Sequence, residues 1–152
     1  MKLSDALDPA RVALDLAAND KVGAFEELLA LAAASLTLPD TQPLLSRILE
    51  REAICSTAVN RGVAIPHARS PLVQGVVASL GIHRAGLDYG SPDGGKVQLV
   101  FLVLSSEIAT PAYLSVLGRT ARIFHRDQMR QQVMDADSAT QIIELIAAQE
   151  PA

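Results

Sequence analysis

Gly62-Val63-Ala64-Ile65-Pro66-His67 is the segment of this chain best suited to chemistry. A short apolar run delivers a histidine immediately after a proline, and Ala68-Arg69 follows. Proline fixes its own φ and biases the preceding residue towards extended backbone. The imidazole of His67 is therefore expected on a stiff, extended support. Residues two apart on such a segment point to one side, which places Arg69 beside it. An imidazole can be a nucleophile, and a guanidinium can hold anionic oxygens. The pair suits chemistry on a phosphoryl group. On composition alone, a core histidine on a strand is the favoured reading of His67, and an ordinary surface arginine is the default for Arg69.

The other reactive side chains offer less. Cys55 and His67 could form a thiol and its base, but no local signature supports that, and a small buried cysteine is the plainer expectation. His83 and His125 lie far from His67 in the chain and lack metal-ligand spacing. No metal site is expected. Gly90, Gly94 and Gly95 read as turn glycines, because no strand–Gly-x-Gly–helix context surrounds them. No cofactor is expected either.

Composition bounds the remaining classes. A chain of 152 residues, 49% hydrophobic and 20% charged, fits one soluble globular domain spanning 1–152. The net charge of -4, the absence of a Lys/Arg cluster and the absence of Trp argue against nucleic-acid binding. The N-terminus lacks the apolar core of a signal peptide. Leu28 to Leu38 is too short to span a bilayer, so no membrane insertion is expected. A single cysteine cannot form an intrachain disulfide, which fits a bacterial-type cytoplasm.

The elements that must position His67 follow from pattern. Val12–Leu16 reads as a short strand. Asn19-Asp20 caps a helix with Val22, Phe25, Leu28, Leu29 and Ala32 inward. Pro39-Asp40-Thr41 breaks it and opens a second helix, with Pro43 in its first turn, that ends near Arg51-Glu52. Val63–His67 is extended, and Val76–His83 reads as a buried strand. Residues 90–95 form a hairpin-type connection into Val97–Leu104, whose continuous apolar character predicts a central strand covered on both faces. Thr110-Pro111 predicts an N-cap and first turn, with Leu114, Leu117, Ala121 and Phe124 inward. A short helix over Asp127–Ala136 follows. Ser138 and Gln141 then form a capping box for a last helix with Ile142, Ile143 and Ile146 inward. The pattern implies an α/β fold, a mixed β-sheet sandwiched between helices.

Three features together resemble one family. Leu49-Glu50-Arg51-Glu52 runs into Ser56-Thr57, Gly62 to His67 follows, and Pro92-Asp93-Gly94 precedes a hydrophobic strand. The chain resembles, over essentially its whole length, the IIA components of the bacterial phosphoenolpyruvate-dependent sugar phosphotransferase system. The likeness is to the fructose–mannitol type, which includes the nitrogen-regulatory IIA proteins. The resemblance implies a mannitol-type IIA fold. It also implies that His67, through Nε2, accepts a phosphoryl group from a small histidine-containing phosphocarrier protein. Arg51 matches an active-site arginine of the family, and Ser56 and Thr57 match residues near the acceptor. Many members carry a second histidine opening a His-Leu-x-x-Leu segment. Here that segment reads Tyr113-Leu114-Ser115-Val116-Leu117, and a tyrosine can donate a hydrogen bond but carries no positive charge.

Plainer readings stand beside these. Arg51 could complement a helix C-terminus, Ser56 and Thr57 could cap or turn the backbone, and Tyr113 could be an ordinary amphipathic-helix residue. The expected function is a phosphohistidine carrier whose downstream partner is a regulatory target or a permease component. A chain without an attached membrane component favours the regulatory kind. The rival readings are a IIA-like binding module with weakened phosphotransfer, a sugar-specific IIA, and an unrelated hydrolase using His67 as a base. The last lacks a nucleophile motif, a metal site and a cofactor fingerprint.

Overall fold

The apolar run that begins at Val97 forms the middle of the molecule. A computed structural model describes residues 1–59 and 61–151. In chain order it contains α1 (Leu3–Ala6), a 3-10 turn (Pro9–Arg11), β1 (Val12–Ala13), α2 (Lys21–Leu36), α3 (Gln42–Ile54), β2 (Val63–Ala64) and β3 (His67–Arg69). Then come β4 (Val76–Leu87), β5 (Val97–Ser105), α4 (Thr110–Phe124), α5 (Asp127–Asp135) and α6 (Ala139–Ala148). β5 pairs antiparallel with β4 on one side and parallel with β2 and then β3 on the other; β1 lies parallel to β4 at the far edge.

Strand side chains alternate between faces, and β5 supplies both cores. Leu99, Phe101 and Val103 pack with α1, α4, α5 and α6. Val100, Leu102 and Leu104 pack with α2 and α3. The expected mixed sheet between helical layers is what forms. Asp20 caps α2 through Gly23 N–H at 2.7 Å, and Ser138 caps α6 through Gln141 N–H at 3.1 Å. The Gln141 side chain reaches back to Asp137 N–H rather than to the cap residue itself. The two termini are tied together: the buried Glu150 carboxylate accepts from the N–H groups of Leu3 and Ser4 and pairs with Arg119.

β1, α3 and α4 differ from their sequence expectation. β1 stops at Ala13, and only the Leu16 N–H, bonded to the Ile82 carbonyl at 2.8 Å, continues towards β4. Here the Leu16 side chain occupies the space that a Cβ on Gly81 would fill. α3 runs on to Ile54, because no breaker interrupts it before Cys55 turns extended. Thr110 is the first residue of α4 and not its cap; its hydroxyl is held by Arg69. The buried stripe of α4 is Tyr113, Val116, Thr120, Ile123 and Phe124, while Leu114 and Ala121 face outward and Leu117 is half-buried. The phase shifts because Thr120 is an inward residue. Its hydroxyl donates to the Val116 carbonyl at 2.7 Å, so burial leaves no polar atom unpaired.

The chain enters β2 through Arg61 and Gly62, both with left-handed φ (57° and 83°). A left-handed residue packed this close to backbone favours glycine, and a Cβ on Gly62 would meet the Lys96 carbonyl at 3.4 Å. The Gly62 carbonyl accepts from Gln98 and Leu99 N–H, which starts the parallel pairing with β5. Residues 57–59 run along the outer side of β2, with Val59 N–H on the Val63 carbonyl and Ile65 N–H on the Thr57 carbonyl. Pro66 has no N–H and ends that outer pairing. From His67 onward the sheet edge is therefore taken up by side chains.

Candidate functional site

His67 projects from β3 at this edge, between the two helical layers. α3 brings Arg47 and Arg51 from one layer, and the first turn of α4 brings Tyr113 from the other. Together with Arg69 and Ile54 they line an open cleft of about 410 Å³ around His67. A second, more apolar hollow of about 220 Å³ also borders the imidazole, lined by Arg51, Ser56, Thr57, Val59, Leu117 and Ala121. His67 thus lies on both hollows, with Arg51 on the wall of each. Ile54 is 81% exposed at the cleft, and Ile108 and Leu114, next to Glu107 and Tyr113 in the chain, are 92% and 60% exposed.

The geometry selects one tautomer. His67 Nδ1 lies 2.6 Å from the Ile65 carbonyl. A carbonyl only accepts, so Nδ1 carries the hydrogen and, in the neutral ring, the Nε2 lone pair is free. Burial pushes the imidazole pKa below its ordinary 6.5, and Arg51 lowers it further against the opposing Ile65 bond and the Glu52 charge. The neutral, nucleophilic form therefore persists to lower pH than in a free histidine. An NMR titration is expected to place the His67 midpoint below 6.5. Arg51→Gln should move it upward, because a neighbouring positive charge is removed. A midpoint at or above the ordinary value, insensitive to Arg51, would contradict this electrostatic picture.

Arg51 donates Nη1 to the Cys55 carbonyl at 3.0 Å, at the end of α3, and lines both hollows. It both satisfies a helix terminus and faces His67, so the two sequence readings are compatible. Arg69 shares the side of β3 that carries His67. Its guanidinium donates to the Glu107 carbonyl and the Thr110 hydroxyl and lies 5.5 Å from the Tyr113 ring centre. Tyr113 is buried and stands edge-to-face with His67, ring centres 6.0 Å apart, with no hydrogen bond between them. Burial pushes its phenol pKa up to about 12, so it remains a proton donor. Ser56 accepts weakly from Ala58 N–H and borders the apolar hollow.

Thr57 turns inward. Its N–H and its hydroxyl both donate to the buried Glu52 carboxylate, the hydroxyl at 2.7 Å. Since that hydroxyl donates to Glu52, it accepts from the Tyr89 hydroxyl, also at 2.7 Å. Lys21 completes the network, 2.9 Å from Glu52 and over the Tyr89 ring. Glu52 therefore ties α2, α3 and residues 55–59 together behind the site. Cys55, expected to be buried, is exposed, because α3 ends with it at the surface. His83 and His125 do not line the cleft; His83 lies near Asn19 and His125 follows α4. Among the described residues no cluster of three or more potential ligands is placed to hold a metal.

Arg47 and Glu107 were not singled out by sequence. Arg47 donates to the Arg69 carbonyl at 2.9 Å and to the Glu107 carboxylate at 3.3 Å. Its spacing of four from Arg51 on one helix was the available signal. Nothing local marks Glu107, which reaches the site only through tertiary folding.

Fold and cleft together define an α/β protein with a histidine presented at a sheet edge among arginines. Residues 5–149 match the family model described as "Phosphoenolpyruvate-dependent sugar phosphotransferase system, EIIA 2". A nitrogen regulatory protein of Bradyrhizobium diazoefficiens is 35% identical, over 100% of this chain and 98% of that protein. The fructose-specific EIIABC component of Bacillus subtilis is 31% identical over 96% of this chain, which spans only 23% of that larger protein. The crystal structure of the nitrogen regulatory protein IIA-Ntr from Neisseria meningitidis superposes with a TM-score of 0.88 at 28% identity, covering 95% of this chain and 98% of that one. Mannitol IIA of Escherichia coli, at 15% identity and a TM-score of 0.76, shares the fold over 92% of this chain and 98% of its own. The chain belongs to the EIIA type 2 family of the phosphotransferase system.

Proposed function

We propose that the protein is a phosphohistidine carrier in which His67 Nε2 accepts a phosphoryl group from a histidine-containing phosphocarrier protein. The observation that carries this reading is the Nδ1–Ile65 bond, which leaves Nε2 unprotonated beside an arginine-lined cleft. The exposed Ile54, Ile108 and Leu114 offer an apolar rim on which a donor protein can seat. Nε2 attacks phosphorus in line. The Nε2–P bond forms as the N–P bond to the donor histidine breaks, and the donor ring keeps that electron pair and returns to neutral imidazole. His67 becomes the cationic phosphoimidazole, with its Nδ1–H still on the Ile65 carbonyl. Arg51 and the Tyr113 hydroxyl hold phosphoryl oxygens. Positioning and charge stabilisation carry the rate.

Proteins of this family exchange phosphate with phosphocarrier and IIB partners. For this chain the likeness along its full length to nitrogen regulatory proteins supports a regulatory target downstream, in the cytoplasm. Among the described residues no helix is long and apolar enough to cross a membrane. Residues 1–152 act as one IIA domain in this reading. A permease component is the alternative acceptor, in keeping with the fructose-specific relative.

Incubation with phosphoenolpyruvate, enzyme I and a phosphocarrier should yield one acid-labile, base-stable phosphoryl group per chain. Failure of the chain to label would overturn the reading. A second reading, a regulator with weakened transfer, has Tyr113 in its favour, since a neutral donor bonds a phosphoryl group less strongly than a charged one. Tyr113→His should raise the labelling rate modestly if transfer is the function. If wild type does not label and Tyr113→His does, the second reading holds.

A further inference from the structure

We propose that Arg69 supplies a second positive charge, beside that of Arg51, to the phosphoryl group on His67, and that Arg47 is the positioning residue that aims it. This rests on the reading of His67 as the phosphoryl acceptor.

Arg69 is a cation held by neutral partners. Its terminal nitrogen donates to a backbone carbonyl, that of Glu107, and to the Thr110 hydroxyl. The carboxylate of Glu107, which could have neutralised it, is turned to Arg47 instead. Glu52, a further acidic group near His67, is spent on Lys21 and Thr57. Glu50, on the cleft wall, forms no ion pair among the described residues. Arg69 also keeps a buried Nε–H with no hydrogen-bond partner, an arrangement that costs free energy unless something is gained by it. A guanidinium with unspent charge, on the same side of one strand as His67, is matched to an anion arriving at Nε2. Bonds from it to phosphoryl oxygens join ionised donor to ionised acceptor and can be bidentate, which its present neutral acceptors do not offer. Tyr113, stacked against the same guanidinium, cannot contribute charge.

Arg47 fixes both ends of Arg69. One bond, to the Arg69 carbonyl, satisfies the open edge of β3 where no neighbouring strand pairs. The other, to the Glu107 carboxylate, places the Glu107 carbonyl where it receives the Arg69 side chain. The Arg47 and Glu107 side chains are about half exposed, 46% and 52%. An ion pair so wet adds little stability, so its consequence is geometric.

The test is phosphoryl transfer to the full chain from the phosphorylated phosphocarrier. It is read with the ³¹P shift of the phosphorylated form and the urea unfolding midpoint. Arg69→Gln should slow transfer on the order of 100-fold, the scale for loss of one preorganised charge-stabilising donor. Arg47→Ala should slow it about tenfold, move the ³¹P shift in the same direction and leave the midpoint unchanged. Arg47→Lys should recover part of the rate, since it restores charge without the planar fork. In the Arg69→Gln background, Arg47→Ala should cost nothing further, because coupled residues are not additive. Wild-type rates in Arg69→Gln would overturn the charge assignment. A full tenfold loss from Arg47→Ala in both backgrounds would overturn the positioning role. Both of those results require that wild type labels. If wild type does not label, the acceptor reading fails and takes this one with it.

Discussion

His67→Ala is expected to abolish phosphorylation, while His83→Ala and His125→Ala label at the wild-type level. The effect should be complete because no other described side chain combines a free nucleophilic nitrogen with the arginine-lined cleft. His83 and His125 lie outside it. The measurement is mass spectrometry of the intact chain after incubation with the phosphoryl donor system. The label should be lost on brief acid treatment and persist in base, as a phosphoramidate requires. The variant should fold as the parent does. The imidazole is only partly buried and its one described hydrogen bond, to a carbonyl already near the strand edge, can be replaced by water. Persistent acid-labile label in His67→Ala would move the acceptor elsewhere.

The largest expected stability effect lies at Glu52. Its carboxylate accepts from Thr57 twice and pairs with Lys21, and Thr57 in turn receives the Tyr89 hydroxyl. Glu52→Ala would leave buried donors on Thr57 without an acceptor and remove the link between α2, α3 and residues 55–59. Breaking a buried pair by deleting one partner costs roughly 3–5 kcal/mol. The low end applies here because Lys21 keeps 27% of its side chain in water. Tyr89→Phe removes only the outermost bond and should cost about 1 kcal/mol. Urea unfolding of the two variants measures both. A loss below about 1 kcal/mol in Glu52→Ala would mean that the network is incidental to the fold.

What was legible in the sequence was local. Gly62 is needed where φ is positive and the backbone comes close to Lys96, and Pro66 fixes the extended entry to His67, so adjacent residues announce the strand that carries His67. β5 was legible because burial on both faces leaves no polar alternation. The register of α4 was not, because pattern counting treats threonine as polar, whereas Thr120 satisfies its own hydroxyl within the helix and goes inward. That one-position shift matters: it turns Leu114 out to the surface and puts Tyr113 against His67. Thr57 lines the hollow that His67 borders, but what its hydroxyl does was not legible, because a buried carboxylate five residues earlier claims it. Arg47 and Glu107 could not be joined by reading along the chain, since their contact exists only after β5 carries residue 107 back to α3. The order of elements and the segment that presents His67 thus follow from short-range chemistry. The electrostatics of the cleft depends on which charges folding pairs off and which it leaves free.

On the proposed function the phosphoryl group is carried on Nε2 of His67, because Nδ1–H is committed to the Ile65 carbonyl. Long-range ¹H–¹⁵N correlation spectra of the phosphorylated, ¹⁵N-labelled protein report which ring nitrogen bears phosphorus and which bears hydrogen. The predicted result is a phosphorylated Nε2 and a protonated Nδ1 on His67, with the imidazoles of His83 and His125 unchanged. A phosphorylated Nδ1, or an unmodified His67 in a labelled protein, would contradict it.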